Sequence, residues 1–392
     1  MSRPRHVHVI TPGDHFSPRT GSAIPTVVHG LCGGTPPGEP RPAVVVRRDT
    51  YPDRYDSADI LEYDRAPELP IRGARARRYL DAGLGLLGLP RPAARHDLTA
   101  AVREQNTWEP SIIFAHNAPQ LVPLVDRDRH LPVLYAHNHL LRSYRTWESG
   151  RVLERVAAII AVSDALADQL APRLPRHLRE RIRVVHNGVD TAAFRRDAAQ
   201  DDRTPGDGSG PLTVVFLGRM IPEKGPDVLA RAVECLDRPD IRLTLVGSSG
   251  FSAEDRLTPY ERDVRATVAR LGDRAEVRPF VPRAEVPRLL QSADVVVVPS
   301  RWPDPCPLTV LEGMAAGAAV IGSEIGGIPE TLRGVGMMVR PGDADELAAA
   351  LEALADDGDL RRRTAAACAA YAHVHDWGAA AAELERALEG VG

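Results

Sequence analysis

The sequence of 392 residues is almost devoid of lysine. Of its 49 lysine and arginine residues only Lys224 is a lysine, and the other 48 are arginines. A bias this strong, together with 34 prolines and 32 glycines, is typical of a GC-rich bacterial genome and favours an actinobacterial source. Because a compact ammonium is not equivalent to a planar guanidinium at a tight site, the lysine that remains is a candidate functional residue. Chance survival is the alternative.

Other absences narrow the class of protein. No window approaches the roughly 18 apolar residues that span a membrane. The apolar run near the N-terminus is too short for a signal peptide, so a cytoplasmic location is expected. The net charge of −4 gives no support to a nucleic-acid partner. The cysteines lack the close spacing of a metal site, and free thiols are expected at Cys32, Cys235, Cys306 and Cys368.

The length and the order of elements predict two α/β domains. A chain this long exceeds one ordinary core, and short apolar strands alternate with helical segments, which is typical of doubly wound parallel sheets. The predicted divisions are a first domain over 1–196, an acidic Gly/Pro/Ser-rich linker over 197–211, and a second domain over 212–372. A final helix in 373–392 is expected to pack back on the first domain. Residues 50–95 give no clear periodicity.

One segment, residues 301–317 (RWPDPCPLTVLEGMAAG), carries two carboxylates. It follows an apolar run over 294–299 that predicts a fully buried parallel strand. Prolines turn the chain, and a helical pattern begins at Leu308. A strand, a tight loop and a helix N-terminus form a frequent binding place for a phosphorylated ligand. Asp304 and Glu312 are therefore candidate site residues.

A second strand-to-helix crossover carries two cations. The apolar strand predicted over 214–217 is followed by Arg219 and Lys224, and Pro226 is well placed just inside the next helix. Two cations beside a helix N-terminus are suited to a diphosphate. The alternative is a surface arginine and a local Glu223–Lys224 pair.

Other candidates follow strands of the same kind. Ligands of doubly wound sheets bind beyond the carboxyl ends of the strands, and two such ends read Ala-His-Asn, at His116 and at His137. We predict that His116 faces ligand, although a packing role is the usual reading of a lone histidine. The loops that contain Gly21 and Gly247 either approach ligand closely or are plain turns.

Four features together resemble the retaining GT-B glycosyltransferases of family 4. They are the Arg219/Lys224 pair, the Asp304/Glu312 pair, the run 326–330 (GGIPE), and the run 186–190 (HNGVD), which matches an asparagine-glycine-valine-aspartate signature of that family. Their order and spacing agree with the family over roughly residues 110–390. The resemblance implies the GT-B fold, in which two doubly wound Rossmann-like domains face each other across a cleft.

The resemblance also implies roles for individual residues. Arg219 and Lys224 would hold the donor diphosphate and stabilise the charge that builds on the leaving nucleotide. Glu312 would accept hydrogen bonds from the ribose hydroxyls, and Asp304 would contact hydroxyls of the donor sugar. His116 would line the reaction centre. The remaining implied donor-side positions are Gly21, Gly247, Phe280, Val281, Cys306, Pro307, Leu308 and Thr309.

The sequence departs from the family around the sugar pocket. Asp304 stands where the family usually has glutamate, and Cys306-Pro307 stand where it usually has phenylalanine-glycine. A single glycine, Gly21, replaces two adjacent glycines that are common there. These departures predict an unusual donor sugar, or the same donor held differently.

The reaction implied is transfer of a hexose-type sugar from a UDP- or GDP-sugar to a small-molecule acceptor, with retention at the anomeric carbon. No Asp-x-Asp motif lies where a metal-bound diphosphate would need one, so neither metal nor cofactor is expected. Specialised metabolism, such as antibiotic biosynthesis, is the expected context; the oligomeric state stays open, a homodimer included. One alternative is a nucleotide-dependent oxidoreductase, but no G-x-G-x-x-G turn follows either first strand. Another is a sugar-nucleotide-binding protein without transferase activity.

Overall fold

The computed structural model describes residues 3–67, 69, 73–196, 210–254 and 256–391. The chain forms two compact units, one comprising Met1–Asn187 with Trp377–Gly392 and the other Gly188–Asp376. Of the linker predicted over 197–211, residues 197–209 lie outside the described residues. The segment just before it belongs to the second unit, because Phe194 is buried in that unit's core and Arg196 donates to the Ala293 carbonyl at 2.9 Å.

In the first unit, seven parallel strands of the described residues form one sheet in the order β3-β2-β1-β4-β5-β6-β7. The strands are β1 (Arg5–Val9), β2 (Ala43–Arg47), β3 (Asp59–Tyr63), β4 (Ser111–His116), β5 (Leu131–Ala136), β6 (Ala158–Ala161) and β7 (Ile182–Val184). The helices are α1 (Ala23–Gly33), α2 (Ala74–Leu86), α3 (Pro92–Ala101), α4 (Thr146–Leu153), α5 (Asp164–Leu170) and α6 (Arg176–Arg179). Every residue of β4 is buried, as in parallel strands covered on both faces.

In the second unit, six parallel strands of the described part form the order β10-β9-β8-β11-β12-β13. They are β8 (Leu212–Leu217), β9 (Ile241–Val246), β10 (Ala275–Arg278), β11 (Val295–Val298), β12 (Ala319–Ser323) and β13 (Met337–Val339). The helices are α7 (Thr191–Phe194), α8 (Pro226–Leu236), α9 (Pro259–Arg270), α10 (Val286–Gln291), α11 (Leu308–Ala315), α12 (Ile328–Leu332), α13 (Ala344–Asp356) and α14 (Gly358–His373).

The last helix, α15 (Trp377–Leu388), belongs to the first unit. It packs against α1, and the Trp377 ring occupies space that a side chain on Gly30 would need, since a Cβ there would lie 2.1 Å from the ring. Glu383 of α15 accepts from the His186 backbone N–H at 3.0 Å. Among the described residues, no helix combines the length and the apolar character that crossing a bilayer requires.

The stretch that sequence periodicity could not order, residues 50–95, contains β3, α2 and the first turn of α3. A buried ion pair holds it, in which Arg91 Nε lies 2.6 Å from Glu148 Oε1 and Arg91 Nη2 lies 2.9 Å from Glu148 Oε2. The Asp81 carboxylate accepts from the backbone of Ala93 and Ala94 at 3.0 and 2.8 Å, and so caps α3. These contacts join residues far apart in the chain, which a local pattern does not reveal.

Each sheet reverses its strand order once. In the first unit β1 lies between β2 and β4, and in the second unit β8 lies between β9 and β11. Loops at such a reversal leave a crevice beyond the carboxyl ends of the strands, where ligands of open α/β sheets bind. The loops that begin at residues 218 and 299, which carry the predicted charged residues, flank the reversal of the second sheet.

Candidate functional site

The crossover after β8 brings the N-terminus of α8 against the end of β11. Gly225 has φ of 68° and precedes Pro226, the first residue of α8. A Cβ on Gly225 would lie 2.0 Å from the Pro299 carbonyl oxygen, so only glycine allows this approach. The two loops that sequence analysis singled out are therefore neighbours in one unit.

Lys224 and Asp304 meet across these loops. The Lys224 ammonium forms an ion pair with Oδ2 of Asp304, and the side chains are 31% and 14% exposed respectively. The two had been assigned separate roles, one on the diphosphate and one on the sugar. In the structure they form one charged pair at the reversal of the sheet.

Arg219 is exposed on the same crossover. Its guanidinium carbon lies 5.6 Å from the centroid of the Phe251 ring, which is within the range of a cation–π contact. Arg219 therefore adds a second cation, with five N–H donors, to the crossover that carries Lys224.

The loop that carries Asp304 is fixed from both sides. The Glu223 carbonyl accepts from the Arg301 backbone N–H at 2.9 Å, and Arg301 forms an ion pair with Asp227 in the first turn of α8. On the other side, Gly327 N–H donates to the Asp304 carbonyl at 2.8 Å. Gly326 has φ of 63°, and a Cβ there would come within 2.4 Å of that carbonyl. The GGIPE run therefore positions Asp304.

Glu312 points to a residue that sequence reasoning missed. Its side chain is 4% exposed, and Oε1 lies 2.6 Å from Arg283 Nη2. A glutamate this buried requires a cationic or hydrogen-bonding partner. A glutamate expected inside the helix after a buried strand is therefore a signal that predicts such a partner. Arg283 follows the segment 280–282 that was expected near the nucleobase.

The other predicted donor-side positions, apart from Gly21, lie on loops and a helix N-terminus of the same unit. Ser248 Oγ accepts from the Phe280 backbone N–H at 3.1 Å, and Val281 is half-buried beside it. Gly247 has φ of 145°, and a Cβ there would lie 1.9 Å from the Gly218 carbonyl oxygen. Close backbone packing therefore requires glycine at this position. Cys306 is half-buried, and Pro307 is buried. Leu308 and Thr309 form the first turn of α11.

In the first unit His116 is the middle member of a histidine file, which we define as His8, His116 and His137. His8 Nδ1 lies 2.9 Å from His116 Nε2, and His116 Nδ1 lies 2.8 Å from His137 Nε2. His116 is 0% exposed. Both of its ring nitrogens are occupied by protein partners, so the ring that remains at the strand end is His137, which is 9% exposed.

Burial keeps the file neutral. It lowers the pKa of His137 to about 3, and it lowers the pKa of His8 and of His116 well below the ordinary value, with neighbouring histidines adding to the effect. Asn117 holds the file in place. Its backbone is left-handed, with φ of 51°, and its Oδ1 accepts from the His137 backbone N–H at 2.8 Å.

The loop after β1 contains a titratable group that the sequence did not single out. Ser22, next to Gly21, donates from Oγ to Asp14 Oδ2 at 3.4 Å. Burial raises the pKa of Asp14 to about 6, while hydrogen bonds from Ser22 and Thr11 oppose that rise. Gly21 itself has no positive φ, so the loop does not require glycine for its backbone conformation.

Comparison with known proteins gives the family. Residues 3–193 match the family described as Glycosyltransferase Family 4, and residues 211–357 match the family described as Glycosyl transferases group 1. Spore coat protein SA of Bacillus subtilis (strain 168) is 27% identical over 234 residues, which cover 56% of this chain and 62% of that protein. D-inositol 3-phosphate glycosyltransferase of Mycobacterium marinum (strain ATCC BAA-535 / M) is 32% identical over 216 residues, which cover 54% and 44%. The chain thus spans about half the length of the curated relatives it matches.

Among solved structures, Anabaena Alr3699/HepE in complex with UDP and glucose is similar with a TM-score of 0.74 and 18% identity, covering 99% of this chain and 100% of that one. At this identity the likeness shows the fold, which agrees with the two parallel sheets described above. The two family matches together take in both sheets and both groups of candidate residues. The chain belongs to glycosyltransferase family 4, within the group 1 glycosyl transferases, and has the GT-B fold.

Proposed function

We propose that the chain transfers a sugar from a nucleotide diphosphate donor to a hydroxyl of a small acceptor, with retention at the anomeric carbon. The observation that carries the proposal is the Lys224–Asp304 ion pair at the strand-order reversal of the second sheet, with Arg219 exposed on the same crossover as Lys224. Cations on one side and a carboxylate on the other suit a ligand that has an anionic diphosphate and a hydroxylated sugar.

The charge distribution favours departure of the nucleotide. As the bond to the anomeric carbon breaks, negative charge grows on the diphosphate, and fixed cations next to a helix N-terminus stabilise that charge. Lys224 now neutralises Asp304. A bound diphosphate would compete for the same ammonium, and Asp304 would then accept hydrogen bonds from sugar hydroxyls instead.

Glu312 and Arg283 are proposed as the ribose end of the donor site. An Arg283 guanidinium paired to one carboxylate oxygen at 2.6 Å holds the Glu312 side chain in place. The second oxygen can accept from a ribose hydroxyl. A fixed acceptor loses less side-chain entropy on binding than a free one.

The proposal also covers the acceptor and the biological setting. Actinobacterial relatives are named D-inositol 3-phosphate glycosyltransferases, so inositol phosphates lead the acceptor panel. The arginine bias is consistent with a GC-rich source, for which we propose a role in specialised metabolism in the cytoplasm. The departures at Asp304 and Cys306-Pro307 favour a donor sugar other than the family's commonest.

A sugar-nucleotide screen tests the proposal. Thermal unfolding is measured with UDP, GDP, ADP and their hexose conjugates, and a donor that binds the folded chain at 100 times its Kd should stabilise it by about 2.7 kcal/mol. Release of the nucleotide diphosphate is then followed with each acceptor. NAD is included, and a shift with NAD but with no nucleoside diphosphate would overturn the transferase proposal in favour of an oxidoreductase.

A binding protein without transferase activity is the second candidate. The observation that favours it is that Lys224 and Glu312 both have partners within the protein. A thermal shift with a UDP- or GDP-sugar, without release of nucleotide or hydrolysis of the donor, would support this candidate. Release of the nucleotide with any acceptor would exclude it.

A further inference from the structure

The histidine file follows a regular geometric rule. In the register of the sheet His8 lies opposite Phe114, two residues before His116, and His116 lies opposite Tyr135, two residues before His137. Residues two apart on a strand share a face. From one strand to the next, each histidine therefore lies two residues closer to the carboxyl end, on the same face of the sheet. The file runs diagonally across the sheet, from its interior to the end of β5.

We propose that His8 and His116 act as positioning residues that couple the tautomer of His137 to their own and fix its ring orientation, and that His137 binds a substrate hydroxyl as a neutral hydrogen-bonding group. The inference rests on the proposed function, since it assumes that a sugar or an acceptor binds beyond the carboxyl end of β5. It assigns a role to His8, a strand residue that is 1% exposed and lies two rings away from the strand end.

The hydrogen bonds couple the three tautomers. A neutral imidazole has one N–H donor and one bare acceptor nitrogen. If His116 donates from Nδ1 to His137, its Nε2 is bare and must accept from Nδ1–H of His8. If the hydrogen bonds run in the opposite direction, His137 donates from Nε2 to Nδ1 of His116, and His116 donates from Nε2 to Nδ1 of His8. Thus Nδ1 of His137 carries a proton only when Nδ1 of His8 does.

Packing keeps each ring in place. The His8 ring is stacked on Phe114 with centroids 4.7 Å apart, and the His116 and His137 rings are stacked on Tyr135 at 5.0 and 4.8 Å. Stacking fixes the plane of each ring, and a flip within that plane would exchange ring nitrogens for carbons and break the hydrogen bonds. The file therefore behaves as one rigid unit.

The charges around the file come from β1 and α15. His6, on the same face of β1, lies 3.4 Å from Glu385 of α15 through Nε2, and Arg3 lies 3.4 Å from the same carboxylate. The centroids of His6 and His8 are 6.2 Å apart, so His6 does not extend the hydrogen-bonded file. The file itself contacts no carboxylate among the described residues, and no counter-ion there would stabilise an imidazolium.

The consequence for the reaction is specific. The His137 imidazole orients a hydroxyl through a hydrogen bond but is a poor proton acceptor, because burial disfavours its imidazolium form and lowers its pKa to about 3. The proton of the attacking hydroxyl then leaves with the departing diphosphate, whose oxygen atoms accept it. Turnover should therefore show no acid limb due to a histidine between pH 5 and 8.

Three variants test the coupling. His8→Leu keeps the volume but removes the partner of His116, and His8→Asn places an amide where Nδ1 was and keeps the hydrogen bond. His130→Leu is the matched control, because His130 is also 1% exposed in the same unit but bonds to the Gln105 carbonyl through Nε2 at 2.9 Å. The first readout is NMR of protein labelled with ¹⁵N in histidine, which separates protonated from bare ring nitrogens and needs no substrate.

We expect three neutral rings, each a single tautomer, from pH 5 to 8. His8→Leu should give a mixed tautomer at His137, and hydrolysis of UDP-glucose or of another donor found by the screen should slow about tenfold, as expected for the loss of one hydrogen bond. His8→Asn should restore the rate to within about threefold. The nucleotide Kd should stay unchanged, because the proposed donor residues lie in the other unit.

Two results would overturn the inference. One is a file ring that titrates between pH 5 and 8 in the folded wild-type chain, which decides the question even if His8→Leu does not fold. The other is a folded His8→Leu with the wild-type tautomer at His137 and the wild-type rate. Failure of the proposed function is seen separately, as a chain that binds no sugar nucleotide while its NMR spectra follow either pattern.

Discussion

Replacing Lys224 separates its effect on catalysis from its effect on stability. Lys224→Ala removes the ammonium that pairs with Asp304, and the pair is partly buried, with side chains 31% and 14% exposed. Pairs on the surface contribute about 0–1 kcal/mol, and breaking a fully buried pair costs about 3–5 kcal/mol. We expect a cost of about 1 kcal/mol, which lowers the Tm of the second unit by about 2–4 °C.

The expected effect on the rate is much larger. Removing one preorganised group that stabilises transition-state charge costs about 10²–10³ in kcat. Because this charge develops as the diphosphate departs, kcat should fall more than the nucleotide Kd rises. The assay is release of the nucleotide diphosphate under saturating donor, with the Tm of the same preparation measured in parallel.

Lys224→Arg tests why one lysine persists among 48 arginines. The Lys224 ammonium pairs with a single oxygen of Asp304, and a planar guanidinium does not reproduce the contacts of a compact ammonium. We expect at least a tenfold loss of kcat. The control is Arg231→Ala on α8, the helix that follows Lys224. Arg231 is an exposed residue paired with Asp227, and the variant should keep the wild-type rate within about twofold. A Lys224→Ala protein with an unchanged rate, or with a rate loss matched by unfolding, would refute the reasoning.

Four further predictions concern the other charged and titratable groups. Arg283→Met leaves Glu312 buried without its cation and should destabilise the second unit by about 3 kcal/mol in urea unfolding, and the double variant with Glu312→Gln should recover part of that loss. The free energy of unfolding should fall as the pH decreases below about 6.5, because the unfolded chain binds protons that the folded chain does not. With a folded pKa of about 3, His137 alone lowers the free energy of unfolding by about 2 kcal/mol at pH 5 relative to pH 7.5. His137→Asn should flatten this pH dependence. Transfer should be insensitive to EDTA, and a loss that Mg²⁺ restores would contradict a metal-independent reaction. Asp304→Glu should change the ranking of donor sugars in the screen rather than the nucleotide Kd, and an unchanged ranking would count against its sugar-contacting role.

The strands were predictable where burial on both faces leaves a continuous apolar run. Residues 295–298 are four valines, and β11 has these bounds in the structure. The edge strand β3 (DILEY) was missed because it alternates with charged residues and is mostly exposed or half-buried. The short β13 (MMV) lacks the length that distinguishes a strand from a loop. The position of an edge strand is determined by pairing with its neighbouring strand rather than by a pattern in its own sequence.

The charged residues of the candidate site were predictable, but their pairing was not. A strand end followed by a helix N-terminus indicates where a ligand can bind, which identifies Lys224 and Asp304 separately. Their contact joins residues 80 apart in sequence and depends on the adjacency of β8 and β11, which no local pattern encodes. Arg283 was missed for the same reason, since its ion pair depends on where Glu312 lies.

The histidines show how register decides what composition leaves open. His116 and His137 occupy the same Ala-His-Asn context, so the sequence offers no reason to prefer either. His116 is the last residue of β4 and is opposite Tyr135, which places His137 one same-face step further along. That single step places His116 between two other rings and leaves His137 at the strand end. A shift of one residue in the pairing of β4 with β5 would turn one of the two rings to the opposite face and break the file. Which of the two histidines is proposed to face ligand therefore depends on the register between β4 and β5.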